Sequence, residues 1–252
     1  MRSVIRRYIK TLGAYLLLIR AVIKDLLNHG VSLAELSRQI SRIGMNSLPI
    51  VVLTAVFSGM VLALQTAYGL HRFGAKNYVG NVVGLGIVRE LGPVLTAVML
   101  CGRVGAGIAA EIASMVVTEQ VDAMRALGAN PVRKLVTPRI LAAMIVLPAL
   151  VVFSDLVGIY GGALVTVYEL GITVHSYYQS LLYTVVIRDM LDGLIKSCAF
   201  GFLLVSISSF MGLRARGGTE GVGFTTTAAV VTSSIVIFIA NFFITKALIM
   251  LE

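Results

Sequence analysis

The chain has 252 residues, of which 58% are hydrophobic and only 13% charged, and its mean hydropathy is +0.93. That balance excludes an ordinary soluble domain, and apolar runs of about twenty residues point to a polytopic helical membrane protein. The net charge of +9 fits a cytoplasmic Lys/Arg bias and anionic headgroups, so no nucleic-acid partner is expected. A membrane β-barrel would alternate apolar and polar residues, which these runs do not. Cys101 and Cys198 both lie inside apolar runs, so neither a disulfide framework nor a metal site is suggested. The basic N-terminus has no small-residue cleavage site after an apolar core, so no cleavable signal peptide is expected.

Residues 4–27 carry apolar side chains at helical spacing from Ile5 to Leu27, with Arg6, Lys10, Arg20 and Lys24 on the opposite side. A helix lying in the membrane interface has this pattern, and so does an ordinary core helix. Ser32-Leu-Ala-Glu35 reads as a capping box that starts a short helix through Leu36, Ile40 and Ile43. Residues 1–45 thus form an interfacial and cytoplasmic region. The first span covers 48–68, and a short polar connection, Gly69 to Asn81, leads to the second over 82–113. This second segment is too long and too interrupted for one straight helix. Gly84, Gly86, Gly92 and Pro93 surround Arg89 and Glu90, and Pro93 has no N–H to offer the Arg89 carbonyl. The spacing predicts a kinked or broken helix with a charge pair at the break.

Glu111 to Arg139 is the longest polar interlude between apolar segments. Within it, 111–128 reads as one short helix ended by Gly128, and Pro131 can open the next turn. Ile112, Met115, Val116 and Met124 fall roughly on one side, with Glu119, Asp122 and Arg125 elsewhere. A two-faced helix in a loop suits a docking partner better than bare solvent. Three further spans follow at 140–168, 190–213 and 226–251, the first with Gly158, Gly161 and Gly162 for close helix contact. Lys/Arg bias puts residues 1–45, the central interlude, Arg214 and Arg216 on the cytoplasmic side. Only Arg72, Lys76 and Arg188 remain outside. The expected architecture is all-α and integral to the membrane: an interfacial amphipathic helix plus five transmembrane helices, N-terminus cytoplasmic and C-terminus periplasmic.

Ionisable residues inside spans are costly and hence functional candidates. Arg89 and Glu90 are helix neighbours that do not face each other, so each should meet a different partner, binding a headgroup or holding the broken helix. Arg188, Asp192 and Lys196 are spaced for a local ion ladder. Arg103 and Glu111 should snorkel or bridge to neighbouring helices, and Asp155 should face protein. Catalytic signals are absent: His29, His71 and His175 are dispersed, and no HExxH or GxSxG occurs. Gly69 to Asn77 approaches a P-loop but has an extra residue before Lys76 and no Ser/Thr after it. The chain therefore reads as a non-enzyme whose energy comes from a partner. A stand-alone channel or proton-coupled carrier, using Arg89, Glu90, Asp155 and Lys196 as a relay, is the rival reading.

The run Arg89-Glu-Leu-Gly-Pro93, then Gly102-Arg-Val-Gly105, Ala110-Glu111, Thr118-Glu-Gln-Val-Asp122-Ala123 and Pro138-Arg139, closely resembles the MlaE/YrbE family of ABC transporter permeases. The resemblance covers nearly the whole chain. It implies a homodimer that moves phospholipid between the inner and outer membranes of diderm bacteria, seated in the inner membrane. A cytoplasmic ABC ATPase dimer would bind ATP and Mg, this chain binding no cofactor. A periplasmic MCE-domain protein would sit on the outward face, often with a small STAS-domain protein on the ATPase. By resemblance, residues 111–128 form the coupling helix, with Glu111, Met115, Glu119, Gln120, Asp122, Ala123, Met124, Arg125 and Gly128 as its contacts. Lipid contacts would be Arg89, Glu90, Lys196, Leu62, Gln65, Leu70 and Phe73. Some members carry an acid where Asn241 stands, so a charge relay there is not carried over.

Overall fold

The computed structural model describes residues 2–75, 78–169 and 171–251. Lys76, counted above with the outer charges, lies outside the described residues. Among those described, every regular element is helical, and five stretches are long and apolar enough to cross a membrane: Leu33–His71, Val79–Val117, Val132–Tyr168, Ile187–Gly212 and Gly218–Met250. The all-α, multi-pass reading holds. The chain falls into two compact units, Met1–Ile43 with Leu100–Ala143 and Gly201–Val236, and Gly44–Met99 with Met144–Phe200 and Ile237–Glu252.

In the first unit, α1 (Arg2–His29) has three faces rather than the two its pattern suggests. At 100° per residue, Leu18, Val22 and Asp25 share one side, and all three are buried. Leu12, Leu16, Ile23 and Leu27 form a second, exposed apolar side, and exposed Arg6, Lys10, Arg20 and Lys24 form the third. Tyr15 fastens this helix to α10 (Ile187–Gly212): its hydroxyl lies 2.7 Å from Ser206 Oγ and its ring meets Phe210 edge-on. Burial raises the Tyr15 phenol above its usual pKa, against the lowering by Ser206. The second helix, α2 (Leu33–Gly44), starts where the Ser32 cap predicts. The Glu35 carboxylate is engaged by Arg38 at 2.5 Å and Gln39 at 3.2 Å.

The second unit is built on backbone contact. On α3 (Leu48–His71), a methyl at Gly59 would overlap the Gly158 carbonyl of α8 (Thr137–Tyr168), and one at Gly161 would overlap the carbonyl of Val56. Close approach of this kind is how helices gain dispersion contact where lipid gives no hydrophobic driving force. The glycines expected to allow it do so. Around that crossing Ala63, Ala67, Val83, Ala163, Tyr177 and Leu181 form a buried cluster.

Several elements depart from expectation. Of the kink or break expected around Pro93, the break does not occur. The second span runs as α4 (Val79–Gly86), a π turn (Ile87–Leu91), α5 (Gly92–Leu100), a second π turn (Cys101–Gly105) and α6 (Ala106–Val117). Each π turn accommodates one additional residue without ending the helix. The predicted single helix over 111–128 is two: α6 ends at Val117, and α7 (Gln120–Ala126) starts beyond Glu119, whose φ of 59° is left-handed. Thr118 and Glu119 form the bend, the Thr118 hydroxyl returning to the Ser114 carbonyl at 2.8 Å. A third π turn (Val132–Val136) precedes α8. An unforeseen helix, α9 (Val174–Thr184), is capped by Thr173, and α11 (Gly218–Met250) starts eight residues before the expected 226.

Candidate functional site

Pro93 generates the first site. Lacking an N–H, it leaves the Arg89 carbonyl without its usual helical donor. Lys196, on α10, places Nζ 2.8 Å from that oxygen and 2.7 Å from Glu90 Oε1. Glu90 also accepts from Thr245 at 3.1 Å and from Asn241 Nδ2 at 2.9 Å, both on α11. Arg89 turns to another partner, its Nε 2.5 Å from Asp189 Oδ1. The two neighbours thus meet different partners, as their helical positions require. Asp189 is 1% exposed and also caps the Val186 N–H at 2.9 Å.

Lys196 is nearly buried, while the Glu90 side chain is 39% exposed. A buried ammonium is tolerable only when paired and hydrogen-bonded, and here both conditions are met. Arg89, Glu90 and Lys196 line a cavity of about 390 Å³ whose apolar wall includes Val82, Leu85, Leu248 and Ile249. Two cations, Arg89 and Lys196, and two carboxylates, Glu90 and Asp192, beside an apolar wall suit the polar head of an amphiphile.

The other predicted lipid residues do not line this cavity, although Leu62 reaches Gly86 on its wall. Leu62 and Leu70 are partly buried against the Ala63–Tyr177 cluster, while Gln65 and Phe73 are exposed. The predicted Arg188–Asp192–Lys196 ladder gives way to longer reaches: Arg188 donates to the Leu251 carbonyl at 2.7 Å, and Lys196 goes to Glu90. Asp155 faces protein as expected, its Oδ1 against Gly92. Asp189 was missed because it stands just before the expected start of its span. Its signal was an acid in a helix's first turn. Asn241 serves as a donor, and an acid there would face the Glu90 carboxylate, so the departure from an acidic residue fits this network.

The second site is the bend and α7. Glu119, Gln120, Asp122, Ala123, Arg125 and Gly128 are exposed, and Met115 and Met124 are half-buried. Val121 is buried at 2% and roots the short helix. Gly128, at φ +75°, ends it in a Schellman arrangement, with Ala129 N bonded to the Met124 carbonyl at 2.9 Å and Gly128 N to that of Arg125 at 3.0 Å. Asp122 pairs with Arg125 at 2.6 Å. Glu111 does not belong with this surface. Its carboxylate bridges Arg42 at 2.9 Å and Arg139 at 2.8 Å, and Arg139 is 4% exposed. It bridges helices, as one reading of the sequence had it, and holds α2, α6 and α8 together.

Five membrane-length helices, a charged cavity lined by three of them and a short exposed helix between two define a polytopic membrane protein with a polar site among its spans. Residues 36–247 match the family described as Permease MlaE. The chain belongs to that family and is a membrane permease subunit. It is 43% identical to a probable ABC transporter permease protein of Rickettsia typhi over 242 residues, covering 96% of this chain and 93% of the relative. A probable ABC transporter permease protein of Synechocystis is 41% identical over 206 residues, 82% of this chain and 78% of its own. The chloroplastic protein TRIGALACTOSYLDIACYLGLYCEROL 1 of Arabidopsis thaliana is 38% identical over 205 residues, 81% of this chain and 59% of its own. An ABC transporter permease implies an ATPase partner.

Proposed function

We propose that this permease moves phospholipids between the inner and outer membranes of a bacterium, as a homodimer driven by a separate ATPase dimer that binds ATP and Mg. The observation that carries the reading is the Arg89–Glu90–Lys196 cluster on a cavity with an apolar wall. At about 390 Å³ that cavity is near the lower end for small-ligand sites, so it takes a headgroup and leaves acyl chains to apolar surface. A phosphate would compete with Glu90 and Asp189 for Lys196 and Arg89, replacing one charge-assisted bond by another. The name of the chloroplast relative, which contains that of a glycerolipid, agrees with a lipid cargo. Glu119, Gln120, Asp122, Ala123, Met124, Arg125 and Gly128 form the surface that the ATPase grips. Movement of that surface changes the exposure of the lipid site. The N-terminus and α7 lie on the cytoplasmic side, and an MCE-domain protein receives or delivers lipid on the other, with a STAS-domain protein on the ATPase.

Native mass spectrometry of the complex, gently extracted from its own membrane, tests this. A dimer of this chain with two ATPase subunits and phospholipid adducts is expected. A lipid-free species without ATPase refutes it.

A further inference from the structure

α1 and the chain leaving α7 are joined by a buried carboxylate. Asp25, 6% exposed and one turn from the end of α1, accepts the Thr137 hydroxyl at 3.1 Å, while Arg133 Nε stands 3.9 Å from its other oxygen. Thr137 is fully buried at the start of α8, and its hydroxyl also reaches the Val132 carbonyl at 3.3 Å. The carboxylate therefore closes onto the π turn Val132–Val136, on which α1 packs. That turn opens the span that follows α7. Val22 and Leu18 bury the same side of α1 one and two turns earlier.

Next to this contact the two segments stand apart. A cavity of about 750 Å³ separates the link from Gly30 to Glu35 from the stretch Gly128 to Lys134, and Asp25 and Arg133 both line it. The links thus do not brace each other across the opening. An apolar residue at position 25 would pack without the desolvation cost of an acid, but it could not fix the direction of approach. A hydrogen-bonded carboxylate fixes it.

We propose that Asp25 is a positioning residue that makes α1 move with the coupling segment, so that each displacement of α7 shifts the amphipathic helix in the membrane surface. The proposal rests on the reading of α7 as the ATPase-docking element. Its consequence is that ATP-driven work reaches the bilayer by way of α1 as well as through the spans.

The test follows α1 directly. With Cys101 and Cys198 replaced by Ala, an environment-sensitive dye is attached at Leu16→Cys on the exposed apolar side. Emission is then read in proteoliposomes holding the complex with its ATPase, before and after ATP. The parent should show an ATP-dependent shift. Thr137→Val, which removes one buried hydrogen bond, should weaken the coupling about tenfold and so shrink the shift, and Asp25→Ala, which also removes the partner of Arg133, should shrink it at least as much, with ATPase binding and hydrolysis retained. Asp25→Asn, which can still accept from Thr137, should keep it. Should Asp25→Ala fail to assemble, Thr137→Val decides. A full shift in the variants overturns the proposal, and so does a parent that hydrolyses ATP with no shift. Absence of bound ATPase from the parent would instead overturn the reading of α7, and the role of Asp25 with it.

Discussion

Lys196→Met tests whether Pro93 and Lys196 act as one unit. Methionine keeps the length and apolar bulk of the side chain but cannot donate. Two bonds are lost, at 2.7 Å to Glu90 and 2.8 Å to the Arg89 carbonyl. Glu90 keeps Asn241 and Thr245 and is 39% exposed, so its share is about 1 kcal/mol. The Arg89 carbonyl, with no donor from position 93, accounts for about 1–3 kcal/mol more. The sum of about 2–4 kcal/mol corresponds to a Tm lower by roughly 5–12 °C for a chain of this size. Pro93→Ala restores a backbone N–H that can serve the carbonyl. In that background the cost of Lys196→Met should fall by about 1–2 kcal/mol. The assay is thermal unfolding of the four proteins in one detergent at one scan rate, since unfolding of such proteins is commonly irreversible. The cycle cancels whatever the methionine gains by avoiding a buried charge. Effects that add to within about 0.5 kcal/mol would refute the shared-carbonyl argument.

Glu111→Gln takes from buried Arg139 its direct counter-charge and leaves it beside Arg42 with only Glu35 in range. It should cost about 3–5 kcal/mol and deplete folded protein in the membrane, whereas Arg42→Ala, at the exposed end of the bridge, should cost under about 1 kcal/mol; equal losses would contradict the asymmetry. Glu119→Gly relieves a left-handed non-glycine residue and should leave Tm unchanged or raise it by about 2 °C, while lowering ATPase copurification because the bend loosens; unaltered copurification would count against a stiff joint. Glu119→Lys should leave membrane insertion intact and release the ATPase, checked by the same pull-down. Gly161→Ala forces α8 away from the Val56 carbonyl and should cost at least about 2 kcal/mol, read as lost monodispersity after extraction; a well-behaved variant would deny the close crossing.

The spans were legible because length and apolarity decide them, and the first began at Leu48, where Pro49 sits in the opening turn. The glycines of α8 announced the α3 crossing, since only close backbone approach calls for small residues at that spacing. Pro93 announced a carbonyl in need of a donor, although not that Lys196 would supply it from another helix 107 positions away. Such pairing depends on tertiary register, which no local pattern carries. The same holds for Asp189 and for Glu111, whose partners come from distant stretches. The bend at Glu119 was hidden for another reason. Glutamate favours helix, and the left-handed turn there is imposed by the burial of Val121 on one side and α6 on the other, against local propensity. The three π turns left no compositional mark, because a π turn uses the same residues as the α-helix around it.

Those turns bear on how the chain tolerates changes of length. Each lodges one residue more than an α-helix would need, and one residue is worth 100° of rotation and 1.5 Å of advance. Deleting a single position within Ile87–Leu91 would remove that surplus and let the helix close in α register, with Pro93 still facing nearly the way it does now. The same deletion within α4 has no surplus to remove and would swing Arg89 and Glu90 by 100° away from Asp189 and Lys196. The π turn therefore gives this stretch a tolerance to residue count that the α turns beside it lack.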